Sequence, residues 1–462
     1  SKDDDEFCSL YLGVIASIFD PHTTYLAPDV KENFDINMSG QLEGIGAVLT
    51  EEDGFIKVQR IIPGGAADRG KELKAGDLIL KVSEKNGDHV DLISMRVKDA
   101  VKYIRGKKGT KVLLTVKKED GQIHNIAIIR DIILLEETYA KYCLIKHDNF
   151  NKVFGYIKLP SFYRNFKDSN AKNASSDLRK ILEDIKAANV AGVVLDLRNN
   201  GGGSLRDAID VAGLFIKSGP IVQIRDKYNA KNVLQDTDSG IVYEGPLVVL
   251  LNKYSASASE IVAAALQDYH RAIIIGTDSS FGKGTVQSLI DLDNYIRNEF
   301  NYLKPFGSLK LTVQKFYRIN GDTIQYKGVI PDIALPDLNS FSDIGEKTLP
   351  YSITSSTSDI LNYNELPVNN ILMSKIKRLS IERQNSNDLF VKIEESKKRR
   401  IAMKEKTLQT LNLAKAKAKQ DKLKKEAKKL TDSIKKIKYI HLANYPPNQK
   451  SSSKNIDLFS SI

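Results

Sequence analysis

The chain has 462 residues, of which 41% are apolar and 27% charged, with 29 Gly and 13 Pro. That is enough for two to four domains, and it excludes a wholly disordered chain, a collagen-like fibre and a disulfide-stapled mini-domain. The net charge of +11 is uneven: Ile371 to Ile462 hold 24 Lys and Arg against 9 Asp and Glu, leaving residues 1–370 slightly acidic, so a nucleic-acid reading has to rest on the tail.

The acidic start, Ser1 to Glu6, lacks the apolar core of a signal peptide. This fits either a cytoplasmic chain or one whose leader has been removed. No stretch approaches the ~20 apolar residues of a bilayer-spanning helix. Residues 7–30 predict a short helix followed by a turn punctuated by Pro21 and Pro28. Cys8 and Cys143 form no CxxC and no metal spacing, so they read as unrelated thiols, with a single disulfide as the alternative.

Residues 40–131 alternate short β patterns with Gly turns and predict one small β-rich domain. Strands are expected at Phe55–Ile61, Leu78–Val82, Val112–Lys118 and Ile123–Arg130, and a helix over Met95–Arg105. Residues 150–335 read as α/β. Val190–Leu197, Leu247–Leu251 and Ala272–Ile275 are continuous apolar runs, as expected of strands covered on both faces. Ser204–Lys217 spaces Leu205, Ala208, Ile209, Ala212 and Phe215 as a helix does. Leu309–Arg318 with Asn320-Gly321 predicts a hairpin. Residues 339–366 look like a linker rich in Ser, Thr and Asp. Beyond Pro367, Lys, Ala, Leu and Glu dominate and predict long basic helices.

Three loops follow the three buried strands: Asp196 to Gly203, Asn252 to Glu260, and Ser279 to Thr285. If the strands are parallel, all three loops lie at one sheet edge, where open α/β sheets place their sites. A serine after the second strand then meets a lysine after the third, and the spacing of Ser257 and Lys283 fits. A helix is expected from Ala258 to Tyr269. Its first turn has unpaired N–H groups, so a serine there attacks a carbonyl while the next N–H steadies the oxyanion. The glycine run offers further open N–H groups. Lys283, between Gly282 and Gly284, is a candidate base if burial makes it neutral, and Ser–Lys pairs are a known variant of triad logic. Each loop also has a plainer reading: a turn, a phosphate loop without the full GxxxxGK[ST] pattern, or a helix N-cap.

A Ser–His–Asp alternative would use Asp268 and His270. They fall at the far end of the Ser257 helix, roughly 16 Å along its axis, so direct contact is disfavoured. His22 is read as structural, and His89, His124, His147 and His441 have no partners that suggest chemistry. No residue cluster has metal spacing.

SASASEIVAAALQDY followed by FGKGTVQ closely resembles the carboxy-terminal processing peptidases, most of all their tail-specific protease branch. FDPHTTYLAP, LEGIGA, LDLRNNGGGSL and KFYRINGDTIQYKGVIPDI carry the resemblance across about residues 7–335. It implies an α/β multidomain chain. The parts are an N-terminal helical segment (1–39), an inserted β-rich PDZ domain (40–131), a crotonase/ClpP-like α/β protease core (132–338), a linker (339–366) and a basic helical C-terminal region (367–462). It implies a serine endopeptidase with a Ser–Lys dyad, no cofactor and no metal. Ser257 is then the nucleophile, Lys283 the base, and Gln287 helps position the lysine. Ala258 supplies one oxyanion donor and Gly201 or Gly202 the other. Asp268 matches an aspartate associated with activity and is read as supporting the fold. Gly44, Ile45, Gly46 and Ala47 would bind the carboxylate of a substrate tail, which adds as a strand to the sheet edge with its apolar last residue in a pocket. The Gly276–Gly282 segment is one residue longer than the usual family form.

The resemblance implies cleavage of proteins that present apolar C-termini, in a bacterial periplasm or cell envelope. It leaves open an adaptor or activating protein, a homo-oligomer and gating by the PDZ domain, and no nucleic acid is expected. The alternative is a catalytically silent PDZ adaptor that binds protein C-termini. A third reading is a nucleic-acid or membrane-surface protein acting through residues 371–462.

Overall fold

The computed structural model describes residues 2–84, 89–147, 150–168, 170–338, 342–405, 410–435 and 442–443. Residues 339–341 of the expected linker, and 406–409, 436–441 (with His441) and 444–462 of the expected basic region, lie outside them. The chain divides into two compact units. One is Ser39–Thr138; the other combines the preceding residues with everything from Tyr139 onward.

The Ser39–Thr138 unit is β-rich, as its turn-punctuated sequence predicts. Five strands follow one another in the order Ala47–Glu52, Phe55–Ile61, Leu78–Glu84, Lys111–Lys117 and Ile123–Ile129. Val90–Asp91 is added beside Leu78–Glu84, and Gln41–Gly44 pairs separately with Asp131–Leu134. The expected helix forms over Val97–Ile104. Ile56, Val58, Ile79, Leu92, Ala100, Val112, Leu114 and Val116 fill the core without exposure, each large aliphatic side chain contributing about 1.5–3 kcal/mol.

The larger unit is built on a seven-stranded sheet in the order Ile333–Ala334, Ile273–Gly276, Leu247–Leu251, Val193–Asp196, Phe150–Lys158, Lys141–His147 and Leu442–Ala443. The first five run parallel and the last two pair antiparallel. Leu195 sits opposite Val249, and Val249 opposite Ile274. All three are fully buried, which is why these strands read as unbroken apolar runs. Asp196, Leu250 and Ile275 thus end at one level, and the three candidate loops leave from one edge.

Helices cover the sheet. Ser204 caps Leu205–Gly213 by accepting the Asp207 N–H at 3.2 Å. Ala258–Asp268 is buried at every position but Gln267, and its run of alanines allows that enclosure. A second sheet is organised by the long strand Ser308–Tyr317, which pairs with Thr285–Asp291, Gly219–Asp226 and Thr24–Leu26. The expected hairpin at Asn320-Gly321 is therefore corrected: that turn closes a single bridge, Tyr317 to Thr323, because the strand's edges are taken by partners distant in sequence.

Residues 342–366, expected as a linker, are irregular but packed. Leu361 donates its N–H to Ile319 O, Gln223 Nε2 donates to Asp359 O, and Leu361 and Tyr363 lie against the core. The basic region forms the helices Asn370–Ser386, Asp388–Lys404 and Leu413–Lys435. Ile393 is the buried side chain among those described in them. Cys8 and Cys143 are free thiols, so the disulfide alternative fails. Among the described residues no helix is long and apolar enough to cross a membrane.

Asp268, at the far end of the Ala258–Asp268 helix, is buried. It accepts hydrogen bonds from Arg318 Nη2 at 2.6 Å, Arg318 Nε at 3.2 Å and Asn320 Nδ2 at 2.8 Å. The pair fixes that helix to the second sheet. Arg318→Ala leaves this carboxylate enclosed without its cation, a change that typically costs about 3–5 kcal/mol. A matching fall in denaturant-unfolding stability is expected, and an unchanged midpoint would show that the clamp is dispensable.

Candidate active site

Ser257 lies between the strand Leu247–Leu251 and the helix Ala258–Asp268 with φ 58° and ψ −113°. Such a backbone is costly for any residue with a Cβ and persists only where its surroundings impose it. Here they do. Ser255 Oγ accepts the Asn252 N–H and donates to Leu197 O, each at 2.9 Å. Ala256 N–H and Ser259 Oγ both donate to Asn200 O, at 3.0 and 2.9 Å. Asn199 and Asn252 exchange hydrogen bonds across the same seam. The two outer serines of SASAS are thus fully buried stitching between loops, while Ser257 remains partly exposed.

The glycine run fits against this turn. A Cβ on Gly202 would come within 2.9 Å of Ser257 Cβ and 3.2 Å of the Ala258 nitrogen, so only glycine fits there. The Gly202 N–H donates to Asn200 Oδ1 at 2.9 Å. Of the two expected glycine donors, Gly202 is therefore already engaged, whereas Gly201 is exposed on the open side. Ala258 is the first residue of its helix, where an N–H has no intrahelical acceptor. Asn200 was not anticipated from the sequence: fully buried, it holds the glycine run through Oδ1 and donates Nδ2 to Leu159 O.

Lys283 arrives on the third loop. Phe281 N–H donates to Ser255 O, joining this loop directly to the serine loop. Gly282 and Gly284 pack where a Cβ would strike Tyr326 and Gln325, and Gly284 N–H donates to Gln325 Oε1 at 2.7 Å. The main link is Glu260, fully buried in the first turn of the serine helix. Its Oε2 accepts the N–H of Ser257 at 2.8 Å and of Lys283 at 3.0 Å. Its Oε1 accepts the Gly282 N–H at 2.6 Å and Ser280 Oγ at 2.5 Å. Serine and lysine backbones thus share one carboxylate oxygen. Sequence reasoning passed over Glu260, although Ser257-x-x-Glu260 has the form of a capping box.

Burial pushes the Glu260 carboxyl up to about 7, against the pull of its four hydrogen bonds. Burial likewise brings the Lys283 ammonium down to about 8. Repulsion from Lys310 adds to that fall, and Glu346, Glu260 and Asp20 oppose it. Gln287 lies on the adjoining strand, its Nε2 donating to Thr285 Oγ1 at 3.0 Å and Thr312 Oγ1 at 3.1 Å. Thr312 Oγ1 donates in turn to Asp20 Oδ1 at 2.8 Å. Burial raises the Asp20 carboxyl, but hydrogen bonds from Thr23, His22 and Thr312 outweigh it and hold the group below its ordinary value. The early Phe19–Pro28 turn thereby joins the site. Among the described residues no group of three or more His, Cys, Asp and Glu could hold a metal ion.

In the other unit, Ile45 O accepts the Ala67 N–H and Gly46 O accepts the Ile62 N–H. Since a trans peptide sets its N–H opposite its C=O, the N–H groups of Gly46 and Ala47 face away from those contacts.

Glu260→Gln swaps one acceptor oxygen for an amide that must face N–H donors, at about 1–3 kcal/mol for each donor left unpaired. Lower stability and activity are expected. The wild-type carboxyl is raised, so its contribution is present below its ordinary 4.5 and is lost as pH rises through about 7. Urea unfolding across that window should slope downward in the wild type, and the slope should flatten in Glu260→Gln.

Residues 153–335 match Peptidase family S41, residues 34–117 a PDZ domain, and residues 340–458 the C-terminal domain of tail specific protease. The chain is 37% identical to the tail-specific protease of Haemophilus influenzae over 438 residues, covering 94% of this chain and 61% of the relative. It is 34% identical to the carboxy-terminal-processing protease of Bartonella bacilliformis over 355 residues, covering 75% and 72%. The chain thus spans about three-fifths of the length of the Haemophilus relative. Among solved structures, the PDZ domain of a carboxy-terminal protease from Vibrio cholerae, determined in complex with peptide, is 40% identical. That match covers 20% of this chain and 97% of that domain, with a TM-score of 0.20. The chain belongs to peptidase family S41, among the tail-specific and carboxy-terminal processing proteases, and carries a PDZ domain and the C-terminal domain of tail specific protease.

Proposed function

We propose that this chain is a serine endopeptidase that recognises protein C-termini through residues 39–138 and cleaves with a Ser257–Lys283 dyad. The observation that carries the reading is the shared Glu260 oxygen. It draws the backbone of a partly exposed serine and that of a lysine with a lowered pKa to one point.

The chemistry follows from the positions. Ser257 Oγ adds to the scissile carbonyl as its proton passes to neutral Lys283 Nζ. The oxyanion takes hydrogen bonds from the Ala258 N–H and the Gly201 N–H. Lys283 then returns the proton to the leaving amine, which departs as the C–N bond breaks and leaves an acyl-serine. A water attacks the ester and gives its proton to Lys283, which passes it to Ser257 Oγ as the C–Oγ bond breaks and the new carboxyl end is released. Gln287, tied through Thr312 to Asp20, stiffens the strand beside the lysine. In the smaller unit, the Gly46 and Ala47 N–H groups take the tail's terminal carboxylate, with Gly44 and Ile45 shaping the turn.

Because neutral lysine is the active form, kcat/KM should rise with pH through about 8 and fall below it. Lys283→Ala and Lys283→Arg should each lose about 10²–10⁴-fold, since arginine stays charged. Ser257→Ala should abolish turnover. The test is cleavage of a poorly folded reporter ending in apolar residues, beside the same reporter ending in two aspartates. Cleavage by wild type and not by Ser257→Ala, favouring the apolar tail, is expected. Tail binding without turnover would turn the reading to a silent adaptor.

A further inference from the structure

The buried carboxylate of Glu346 comes from residues beyond the stretch that matches the S41 peptidases and inside the stretch that matches the C-terminal domain of tail specific protease. It opens the short 3-10 helix Glu346–Thr348. Its N–H donates to Phe281 O at 3.0 Å, two residues before Lys283. Its Oε1 accepts Gln325 Nε2 at 3.1 Å, and Gln325 Oε1 accepts the Gly284 N–H at 2.7 Å, one residue after Lys283. Its Oε2 lies 2.8 Å from His22 Nε2, and His22 follows Asp20 in the turn that reaches Thr312.

We propose that Glu346 is a positioning residue for Lys283, gripping on both flanks the loop that carries the lysine. This rests on Lys283 being the catalytic base.

Four charged groups act on the Lys283 ammonium: Lys310 from the strand Ser308–Tyr317, Glu346 from the C-terminal region, Glu260 from the serine helix and Asp20 from the early turn. His22 faces Glu346 itself. Lys310 favours the neutral lysine, and the three carboxylates favour the charged one. Glu260 and Asp20 are each saturated with hydrogen bonds that hold backbone in place. Glu346 and Lys310 are the opposed pair whose charge can be removed with least disturbance to the serine turn. A merely structural Glu346 would change stability, or activity at every pH alike. A charge set against the ammonium also moves the pH at which activity appears.

The experiment is the pH profile of kcat/KM on a cleaved peptide for wild type, Glu346→Gln, Lys310→Met and Lys283→Ala, with thermal unfolding of each. The isosteric Glu346→Gln removes the charge and keeps an acceptor for Gln325. Its acid limb is expected about half a pH unit or more lower, read as roughly threefold more of its own plateau rate retained on the limb. Lys310→Met leaves the Glu346 contacts untouched and should shift the limb the opposite way. Since His22 Nε2 touches the Glu346 carboxylate, Glu346→Gln is repeated in a His22→Gln background, where the downward shift should persist. Lys283→Ala inactive, with the Glu346→Gln limb unmoved, overturns the inference and leaves the dyad standing. A shift lost in the His22→Gln background overturns it as well. Full activity in Lys283→Ala overturns the dyad and this inference together. If Glu346→Gln does not fold, Glu346→Asp decides, since it keeps the charge but shortens the reach to Gln325: a displaced acid limb supports the proposal and an unmoved limb overturns it.

Discussion

The Glu260 carboxylate accepts donors from two loops that leave different strands, and the geometry of both loops depends on it. Without it the amides of Ser257, Gly282 and Lys283 would lose their acceptor, at about 1–3 kcal/mol for each one left unpaired away from water. That is a large share of the ~5–15 kcal/mol by which a folded domain is stable. The same enclosure raises the carboxyl and lowers the lysine. Burial therefore does two jobs with one wall: it fixes the backbone and it prepares the side chain.

Much of this was legible in the sequence because it is local or periodic. The three buried strands announce themselves as apolar runs, and parallel pairing then brings their loops to one edge. Serine at a helix start and lysine between two glycines are short-range signals. Helix length sets Asp268 far from Ser257, and its partners are Arg318 and Asn320. What escaped depends on contacts far apart in the chain. Glu346 sits in a segment whose Ser, Thr and Asp content suggested a linker. Its burial is decided by His22 and Gln325, which local composition cannot reveal. Asn200 looked like one polar residue of a turn, and only the fold shows its side chain holding the glycine run. The Asn320-Gly321 turn misled because turn chemistry fixes a bend, not which strands flank it.

The uneven charge of the chain also finds a structural counterpart. Lys397 lies 3.7 Å from Asp278, in the loop that leads to Lys283, and Lys404 pairs with Asp343. Exposed pairs of this kind contribute little individually. Together with the buried Ile393 they give the basic helices a defined seat on the slightly acidic peptidase unit. Most of the lysines remain solvated.

The site draws on widely separated parts of the chain: Asp20 and His22 near the start, Glu346 more than three hundred residues later. Thr24–Leu26 likewise waits for Ser308–Tyr317 to supply its partner strand. At synthesis rates of about 5–20 residues per second, many seconds separate the first of these residues from the last. The nascent chain can form its sheet and its serine turn early, but the lysine's surroundings close only when the ribosome has passed residue 346. Chain topology thus acts as a timer, leaving the lysine's surroundings incomplete until residue 346 of the same chain has been made.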